Sequence, residues 1–233
     1  MKYSTIFFDL DDTLINTTVN NLHSLQEIFN KYEFNNYYEN FDDFHSVFAP
    51  HNLSLWKLYE QNSITKTELK SQRFFVPFRH ISSITQEKAL EINDAFMFGT
   101  AGKKRLIEGA TELLDKLKPV YKLVILSNGF EEVQYKKLEK AGLTHYFDKI
   151  ILSDNLGVNK PHPDLFQHAL NVTKACRKET VMIGDNWNSD ITGAKNSNID
   201  QIWFNPKGLP AKEFIPTHTV GKLYEIEDIL LGR

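Results

Sequence analysis

Short apolar runs that end abruptly in polar residues most constrain the fold of this 233-residue chain. The first, at residues 5–8, reads Thr-Ile-Phe-Phe and is followed at once by Asp9. Wholly apolar runs of this length are typical of strands buried on both faces of a parallel sheet. Further runs of the same kind occupy residues 122–126, 149–152, 181–183 and 201–204.

Helical patterns separate these runs, with leucines and other apolar residues recurring on one face. They cover residues 110–118, 131–141, 163–172 and 190–196. Alternating strands and helices predict an α/β fold, a Rossmann-like parallel sheet with helices on both faces. In such sheets ligands bind at the carboxyl ends of the strands, where the polar residues of this chain fall.

Residues 16–100 interrupt the alternation, because they lack strand-like runs and instead show helical spacing of apolar residues. We expect helices over residues 19–32, 41–59, 65–75 and 85–98, and a flexible return at residues 99–102. Thr65 and Glu68 have the spacing of a capping box. The pattern predicts a core of residues 1–15 and 101–233, with an inserted helical domain at residues 16–100.

Composition narrows the class of protein by exclusion. The formal net charge of −3 disfavours nucleic acid as a partner. No apolar stretch is long enough to span a bilayer, and Asp9 interrupts the N-terminal apolar run before a signal peptide could form. A single cysteine, Cys176, excludes disulfide frameworks and zinc–cysteine clusters. These exclusions predict a cytoplasmic protein that does not bind membranes.

Two carboxylates, Asp9 and Asp11, leave the first predicted strand one residue apart. That spacing allows one to attack an electrophile while the other transfers protons. An anionic phosphate ester would need a cation beside the attacking carboxylate, and Mg²⁺ prefers oxygen ligands and neutralises charge in phosphoryl transfer. The alternative for the same residues is a pair of solvated acids in an ordinary loop.

Polar residues also follow the later strands. Ser127 could hold a phosphate oxygen or merely form a turn. Lys160 could pair with a nucleophile and a phosphate, or lie on the surface of a proline-rich turn. Gly184 and Asp185 could bring a carboxylate to a metal, while Asp190 could serve the same site or cap a helix. Each cluster taken alone has an explanation without a function, but the occurrence of all of them in this order, each after its own strand, has none.

Taken together, these residues resemble the haloacid dehalogenase superfamily over nearly the whole chain. The segment Asp-Leu-Asp-Asp-Thr from Asp9 matches the first motif of that superfamily. Ser127 matches the second motif, Lys160 the third, and Gly184-Asp185 with Asp190 the fourth. A helical cap inserted after the first motif is also similar. The resemblance implies a Mg²⁺-dependent phosphatase that forms an aspartyl-phosphate intermediate, with strands five and four beside strand one, then two and three.

The resemblance also implies catalytic and metal-binding roles. Asp9 would attack phosphorus, and Asp11 would protonate the leaving oxygen and then activate water. Asp9, the backbone carbonyl of Asp11 and Asp185 would bind Mg²⁺. Lys160 would orient Asp9 and neutralise charge, and Asp190 would steady Lys160 or a metal-bound water.

A phosphate-binding set is implied as well. Ser127 and the backbone amide of Asn128 would hold phosphoryl oxygens. Further contributors would be the amides of Leu10 and Asp11, with Thr13 and Lys160.

Within the superfamily, the segments 126–134 and 184–191 resemble the bacterial pyrimidine 5′-nucleotidase branch. This resemblance implies a nucleoside monophosphate as substrate, pyrimidine or non-standard. Sugar-phosphate phosphatase and phosphomutase remain open. A 2-haloacid dehalogenase is disfavoured by Asp11, because those enzymes lack this acid and need no metal. A catalytically silent regulatory module is disfavoured by the complete motif set.

Specificity is expected to come from the inserted helices, because the core binds only the phosphoryl group. Trp56 and Phe74 could stack on a base, and Arg73 could meet an anionic or carbonyl group. The alternative is that these side chains pack in the interior of the insert, as aromatic residues at helical spacing commonly do. The sequence leaves the oligomeric state open.

Overall fold

The computed structural model describes residues 2–232. Within them the chain forms two compact units. Residues up to Thr17, together with those from Lys104 onwards, make the first unit, and Thr18–Lys103 make the second. That the two units are separate domains stays a prediction. No helix among residues 2–232 is both long enough and apolar enough to cross a membrane.

A parallel sheet of six strands, counted over residues 2–232, forms the centre of the first unit. The strand order is β3-β2-β1-β4-β5-β6, which confirms the predicted arrangement and adds an edge strand. Thr5 pairs with Lys122 on one side and with Thr180 on the other. The strands are β1 (Thr5–Phe8), β2 (Lys122–Ser127), β3 (Lys149–Leu152), β4 (Thr180–Gly184), β5 (Asp200–Phe204) and β6 (His218–Val220).

The second unit is built from helices. They are α1 (Thr17–Lys31), α2 (Phe41–Glu60), α3 (Lys66–Phe75) and α4 (Gln86–Gly102), the first beginning one residue earlier than the unit. The predicted capping box is confirmed, because the Thr65 side chain accepts from the Glu68 amide while Glu68 accepts from the Thr65 amide. The interior of this unit is rich in phenylalanine, including Phe34, Phe44, Phe48, Phe74, Phe78 and Phe96.

The predicted flexible return at residues 99–102 is wrong, since these residues form the last turn of α4. Glycine in a helix costs about 1 kcal/mol relative to alanine, but Thr100 and Ala101 are buried here and offset that cost. The absence of a side chain at Gly99 also matters for packing. A Cβ at that position would lie 3.3 Å from Ser24 Oγ of α1, so the missing side chain permits close approach of the two helices.

Both faces of the sheet are covered, as predicted. The remaining helices are α5 (Ala110–Leu117), α6 (Glu131–Lys140), α7 (Pro163–Thr173), α8 (Thr192–Asn196) and α9 (Tyr224–Leu231). Successive residues of a strand point to opposite faces. Ile6 and Phe8 therefore pack with leucines of α5, while Phe7 packs with Phe166 of α7. The carboxyl edge of this buried sheet is thereby held rigidly, and the polar residues begin there.

Candidate active site

The carboxyl ends of β1, β2 and β4 bring the predicted motif residues to one edge of the sheet. Asp9 follows β1 directly, Ser127 ends β2, and Asp185 follows β4. The loop after Asp9 turns sharply because Asp12 adopts a left-handed backbone with φ of 58° and its amide donates to the Ile15 carbonyl. Asp9 and Asp11 thus leave a rigid strand and enter a tight, hydrogen-bonded loop.

Lys160 is the centre of the charge network. Its side chain is 1% exposed, and its ammonium donates to Asp9 Oδ1, Asp190 Oδ1 and the Leu126 carbonyl, each at 2.7 Å. Burial would lower the pKa of Lys160, but the attraction of Asp190 and Asp9 outweighs it and holds that pKa above its ordinary value. All three ammonium protons are engaged. Lys160 therefore orients Asp9, and a direct phosphate contact would require one of these bonds to break.

Asn128 fixes the backbone that carries Lys160. Its Oδ1 accepts from the Lys160 amide at 2.8 Å, and its Nδ2 donates to the Lys160 carbonyl at 3.0 Å. Asn128 was predicted to act only through its own amide. The reciprocal pair of bonds gives its side chain a second task, because it ties the end of β2 to the loop before α7.

Asp190 lies inside a wide, π-type turn formed by Trp187–Ile191. Its Oδ1 accepts from Lys160, and its Oδ2 accepts from the Asn186 amide at 3.0 Å. The helix-cap interpretation of Asp190 is wrong, since the capping side chain of this turn is Asn186. Both oxygens of Asp190 are engaged by protein donors, which favours Lys160 over a metal as its partner.

Thr13 lies between the two candidate metal ligands. Its hydroxyl donates to Asp9 Oδ2 at 3.2 Å, lies 3.4 Å from Asp185 Oδ1, and accepts from the Asp185 amide at 3.1 Å. The residue is fully buried. These contacts correct the predicted phosphate-binding role of Thr13, because the hydroxyl is enclosed and engaged with the two acids.

Asp9, Asp185 and Asp190 each offer an oxygen, and these oxygens lie within 4.8 Å of one another. Burial, together with Asp190 and Asp11, raises the pKa of Asp9 to about 7 against the opposing effect of Lys160. Burial and the negative charges of Asp9, Asp190 and Asp12 raise the pKa of Asp185 to about 9. A divalent cation between Asp9 and Asp185 would relieve this repulsion, so the donor set fits a hard metal ion.

Asp11 is held by groups that the sequence analysis did not assign. Its Oδ1 accepts from Thr17 and Lys137, and its Oδ2 accepts from Gln134 Nε2 at 2.6 Å. Burial would raise the pKa of Asp11, but Lys137, with the bonds from Lys137, Thr17 and Gln134, outweighs it and holds that pKa below its usual range. The carboxylate is therefore ionised and fixed in this structure.

A sequence signal for two of these residues existed. Val133 and Leu138 mark the inward face of α6, and Gln134 and Lys137 lie on the same stripe. All four are buried. Polar residues on a predicted buried face are uncommon unless they have partners, and that pattern points to a site.

Ser127 and Leu10 occupy the predicted sheet edge. Ser127 is buried, and its Oγ accepts from the Gly129 amide at 3.1 Å and from Gln134 Nε2 at 2.7 Å. The side chain of Leu10 packs in the core, while its carbonyl accepts from the amides of Leu14 and Ile15. Their phosphate contacts stay predictions.

The specificity residues proposed in the second unit lie mostly in its interior. Phe74 is fully buried among the phenylalanines, so it has no free ring face for a base. Arg73 is also buried and donates to Asn93 Oδ1 at 2.9 Å, and burial lowers its pKa to about 9. Packing therefore corrects the substrate role expected of these two. Trp56 is half-buried and stays a candidate.

Comparisons with known proteins show the family of this chain. The model of the haloacid dehalogenase-like hydrolases matches residues 6–204. The chain belongs to this family of hydrolases.

Two relatives match along almost their whole length. The pyrimidine 5′-nucleotidase YjjG of Escherichia coli (strain K12) is 34% identical, with 99% of each chain covered. The pyrimidine 5′-nucleotidase PynA of Streptococcus pneumoniae is 31% identical, covering 99% of this chain and 94% of PynA. Among solved structures, YfnB of Bacillus subtilis bound to magnesium is 27% identical with a TM-score of 0.88, covering 99% of this chain and 100% of YfnB.

Proposed function

We propose that this protein is a Mg²⁺-dependent phosphomonoester hydrolase that acts on nucleoside monophosphates, pyrimidine ones foremost, through a phosphoaspartyl intermediate on Asp9. The contact that carries the proposal is the one between Lys160 Nζ and Asp9 Oδ1 at 2.7 Å. It fixes the direction of the Asp9 carboxylate at the edge of the sheet.

Asp9 acts as the nucleophile. Lys160 and Thr13 fix its orientation, one through Oδ1 and the other through Oδ2. Attack of an Asp9 oxygen on phosphorus forms the acyl phosphate, and the bond from phosphorus to the ester oxygen breaks. Water then attacks phosphorus, inorganic phosphate leaves, and the carboxylate is restored.

Asp11 supplies the proton for the leaving oxygen and later removes one from water. Its bonds from Thr17, Gln134 and Lys137 hold an ionised carboxylate. That form suits the second step, in which a base is needed. The first step requires a proton on Asp11, which the negative charge of an arriving phosphate ester would favour by opposing Lys137.

The metal site of the proposal consists of Asp9 and Asp185, with the Asp11 carbonyl as the third protein ligand. A bound Mg²⁺ would neutralise charge on the phosphoryl oxygens. Trp203 of β5 stabilises the backbone at Asp185, because its indole nitrogen donates to the Asp185 carbonyl at 2.9 Å. Asp190 is assigned to Lys160, because it is fully buried and its carboxylate accepts from Lys160 and from the Asn186 amide.

The substrate class rests on the two nucleotidases that match nearly end to end. Glyceraldehyde 3-phosphate phosphatase of Pyrococcus abyssi matches at 30% identity over 85% of this chain, so sugar and triose phosphates belong in any test. Dehalogenation is disfavoured by Asp11, which metal-free dehalogenases lack.

The test is phosphate release in the presence of Mg²⁺ from nucleoside monophosphates, sugar phosphates and small phosphate esters. Release of halide from 2-chloropropionate is measured in parallel. We expect strong preference for pyrimidine nucleoside monophosphates. A preference for sugar phosphates would overturn the nucleotidase assignment alone, and halide release without phosphate release would overturn the phosphatase mechanism.

A further inference from the structure

The side chain of Gln134 joins two motif residues that lie far apart in the sequence. It is fully buried, and its Nε2 lies 2.6 Å from Asp11 Oδ2 and 2.7 Å from Ser127 Oγ. An amide nitrogen has two protons, so one Gln134 side chain can serve both acceptors at once. Asp11 transfers protons in the proposed function, and Ser127 is expected to hold a phosphoryl oxygen, so the Gln134 amide connects two residues with tasks at the same phosphoryl group.

The hydrogen bonds at Ser127 set the direction of its hydroxyl proton. A hydroxyl oxygen accepts two hydrogen bonds and donates one. Gln134 Nε2 and the Gly129 amide fill the two acceptor positions of Ser127 Oγ. Within residues 2–232 no bond is found in which that hydroxyl donates. The proton is thus left for an acceptor that arrives with the substrate.

The orientation of the Gln134 amide follows from its neighbours. Nε2 lies 2.6 Å from Asp11 Oδ2 and 2.7 Å from Ser127 Oγ, so the amino group and not the carbonyl faces these two oxygens. The carbonyl oxygen Oε1 is buried and has no hydrogen-bond partner among the described residues. A buried acceptor without a partner costs free energy. The two hydrogen bonds that Nε2 donates offset this cost.

Gly129 makes room for this amide. A Cβ at that position would lie 2.3 Å from both Cδ and Nε2 of Gln134. Because Nε2 donates one hydrogen bond to Asp11 and another to Ser127, the amide cannot move aside without breaking them. The absence of a side chain at residue 129 is therefore a condition for the Gln134 bridge.

We propose that Gln134 is a positioning residue that aims the Ser127 hydroxyl proton at a phosphoryl oxygen and holds Asp11 beside the same group. This inference rests on the proposed phosphatase function. It assigns no chemistry to Gln134 itself, because the amide acts only through Ser127 and Asp11.

The inhibition constant of orthovanadate, measured with Mg²⁺ present, tests the link to Ser127. Gln134→Met keeps the size of the side chain and removes both donors. We expect Gln134→Met to weaken inhibition about tenfold in the parental protein but by less than about twofold in a Ser127→Ala background. Purely additive effects of the two substitutions, or parental inhibition in Gln134→Met, would overturn the inference.

Gly129→Ala perturbs the same bridge from the other side. In the parental protein we expect it to weaken vanadate inhibition as Gln134→Met does. In a Gln134→Ala background the space is free, so the same alanine should add no further loss. Equal losses from Gly129→Ala in both backgrounds would contradict the bridge, since a general effect on the loop would not depend on Gln134.

Phosphate release and vanadate inhibition of the parental protein distinguish a failure of the positioning role from a failure of the phosphatase function. If the parental protein releases phosphate and is inhibited by vanadate, and Gln134→Met has the same inhibition constant, the positioning role is wrong and the phosphatase function stands. A parental protein that releases no phosphate from any ester and is not inhibited would defeat both. Thermal unfolding of each variant shows whether a loss of inhibition reflects a loss of fold.

Discussion

The carboxylate of Asp190 occupies the space in which a side chain on Gly184 would lie. A Cβ at Gly184 would be 2.3 Å from Asp190 Oδ2 and 2.5 Å from its Cγ. Asp190 cannot retreat freely, because Lys160 and the Asn186 amide hold its two oxygens. Gly184→Ala should therefore displace Asp190 and lower the free energy of unfolding by about 1–3 kcal/mol, measured by denaturant titration.

Gly102→Ala is the matched control for this substitution. A Cβ there meets nothing within 4 Å, and the residue ends α4. We expect the free energy of unfolding to stay equal or to rise slightly, as replacing glycine in a helix does. If Gly184→Ala is as stable as the control, the enclosed position of Asp190 is wrong.

Lys160→Met should destabilise the protein by roughly 3–5 kcal/mol, because it leaves Asp9 and Asp190 buried with no cation between them. The denaturant midpoint measures the loss. Lys178→Met, on an exposed residue, should change stability by no more than about 0.5 kcal/mol. Equal midpoints for the two variants would contradict the central role given to Lys160.

Asp9→Asn should lower phosphate release by roughly 10⁴-fold or more, because an amide is a poor nucleophile. The exposed Asp164 offers the same change of side chain away from the site, and Asp164→Asn should retain parental turnover. Near-normal turnover in Asp9→Asn would end the covalent mechanism.

Asp11→Asn should impair hydrolysis of the phosphoenzyme more than its formation when the leaving group is good. With p-nitrophenyl phosphate, whose leaving oxygen needs little protonation, we expect a burst of p-nitrophenol followed by turnover slowed roughly 10²–10⁴-fold. Poor leaving groups give the internal comparison, since the variant should form no burst from them. Parental turnover of both esters would contradict the proton-transfer role of Asp11.

Magnesium should stabilise the protein more as the pH rises. The raised pKa values of Asp9 and Asp185 mean that the metal-free fold loses stability as pH increases from the ordinary carboxyl range towards about 9, where both groups become charged. Mg²⁺ binds the charged forms. Its effect on the unfolding temperature should therefore be larger near pH 9 than near pH 6.

Asp185→Asn controls the magnesium experiment. It removes one ligand and the group whose pKa is raised to about 9, while Asp9 still titrates near 7. The difference in the magnesium effect between pH 6 and pH 9 should then become smaller. A magnesium effect that is the same at both pH values in the parental protein would argue against the metal ligands proposed here.

The sheet and its charged edge could be predicted from the sequence because they rest on local signals. An apolar run followed by Asp9 identifies both a buried strand and the place where it ends. The edge strand β6 and helix α9 were missed, since β6 has only three residues and its first two are polar. A strand that short is set by pairing with β5 and not by its own composition.

The supporting residues of the site could not be predicted from motifs, because their roles depend on side-chain direction. Gln134 and Lys137 lie on α6, yet they contact Asp11 in the loop after β1. Thr13 and Asn128 illustrate the converse, since the motifs that contain them gave no sign that the side chain of each supports another residue. Such contacts between distant residues follow from packing in three dimensions. Only the polar residues on the buried face of α6 indicated such a contact from the sequence.

The parallel register of the sheet has a consequence for folding. The strand β1 lies at the centre of the sheet, between partners that follow much later in the chain, as the pairs of Thr5 with Lys122 and Thr180 require. During synthesis this strand leaves the ribosome before either partner exists, while the helices of the second unit depend on shorter-range contacts. We expect those helices to acquire structure first. The segment that bears the nucleophile is thus made early and secured late, so an incompletely synthesised chain holds Asp9 without the surroundings that make it reactive.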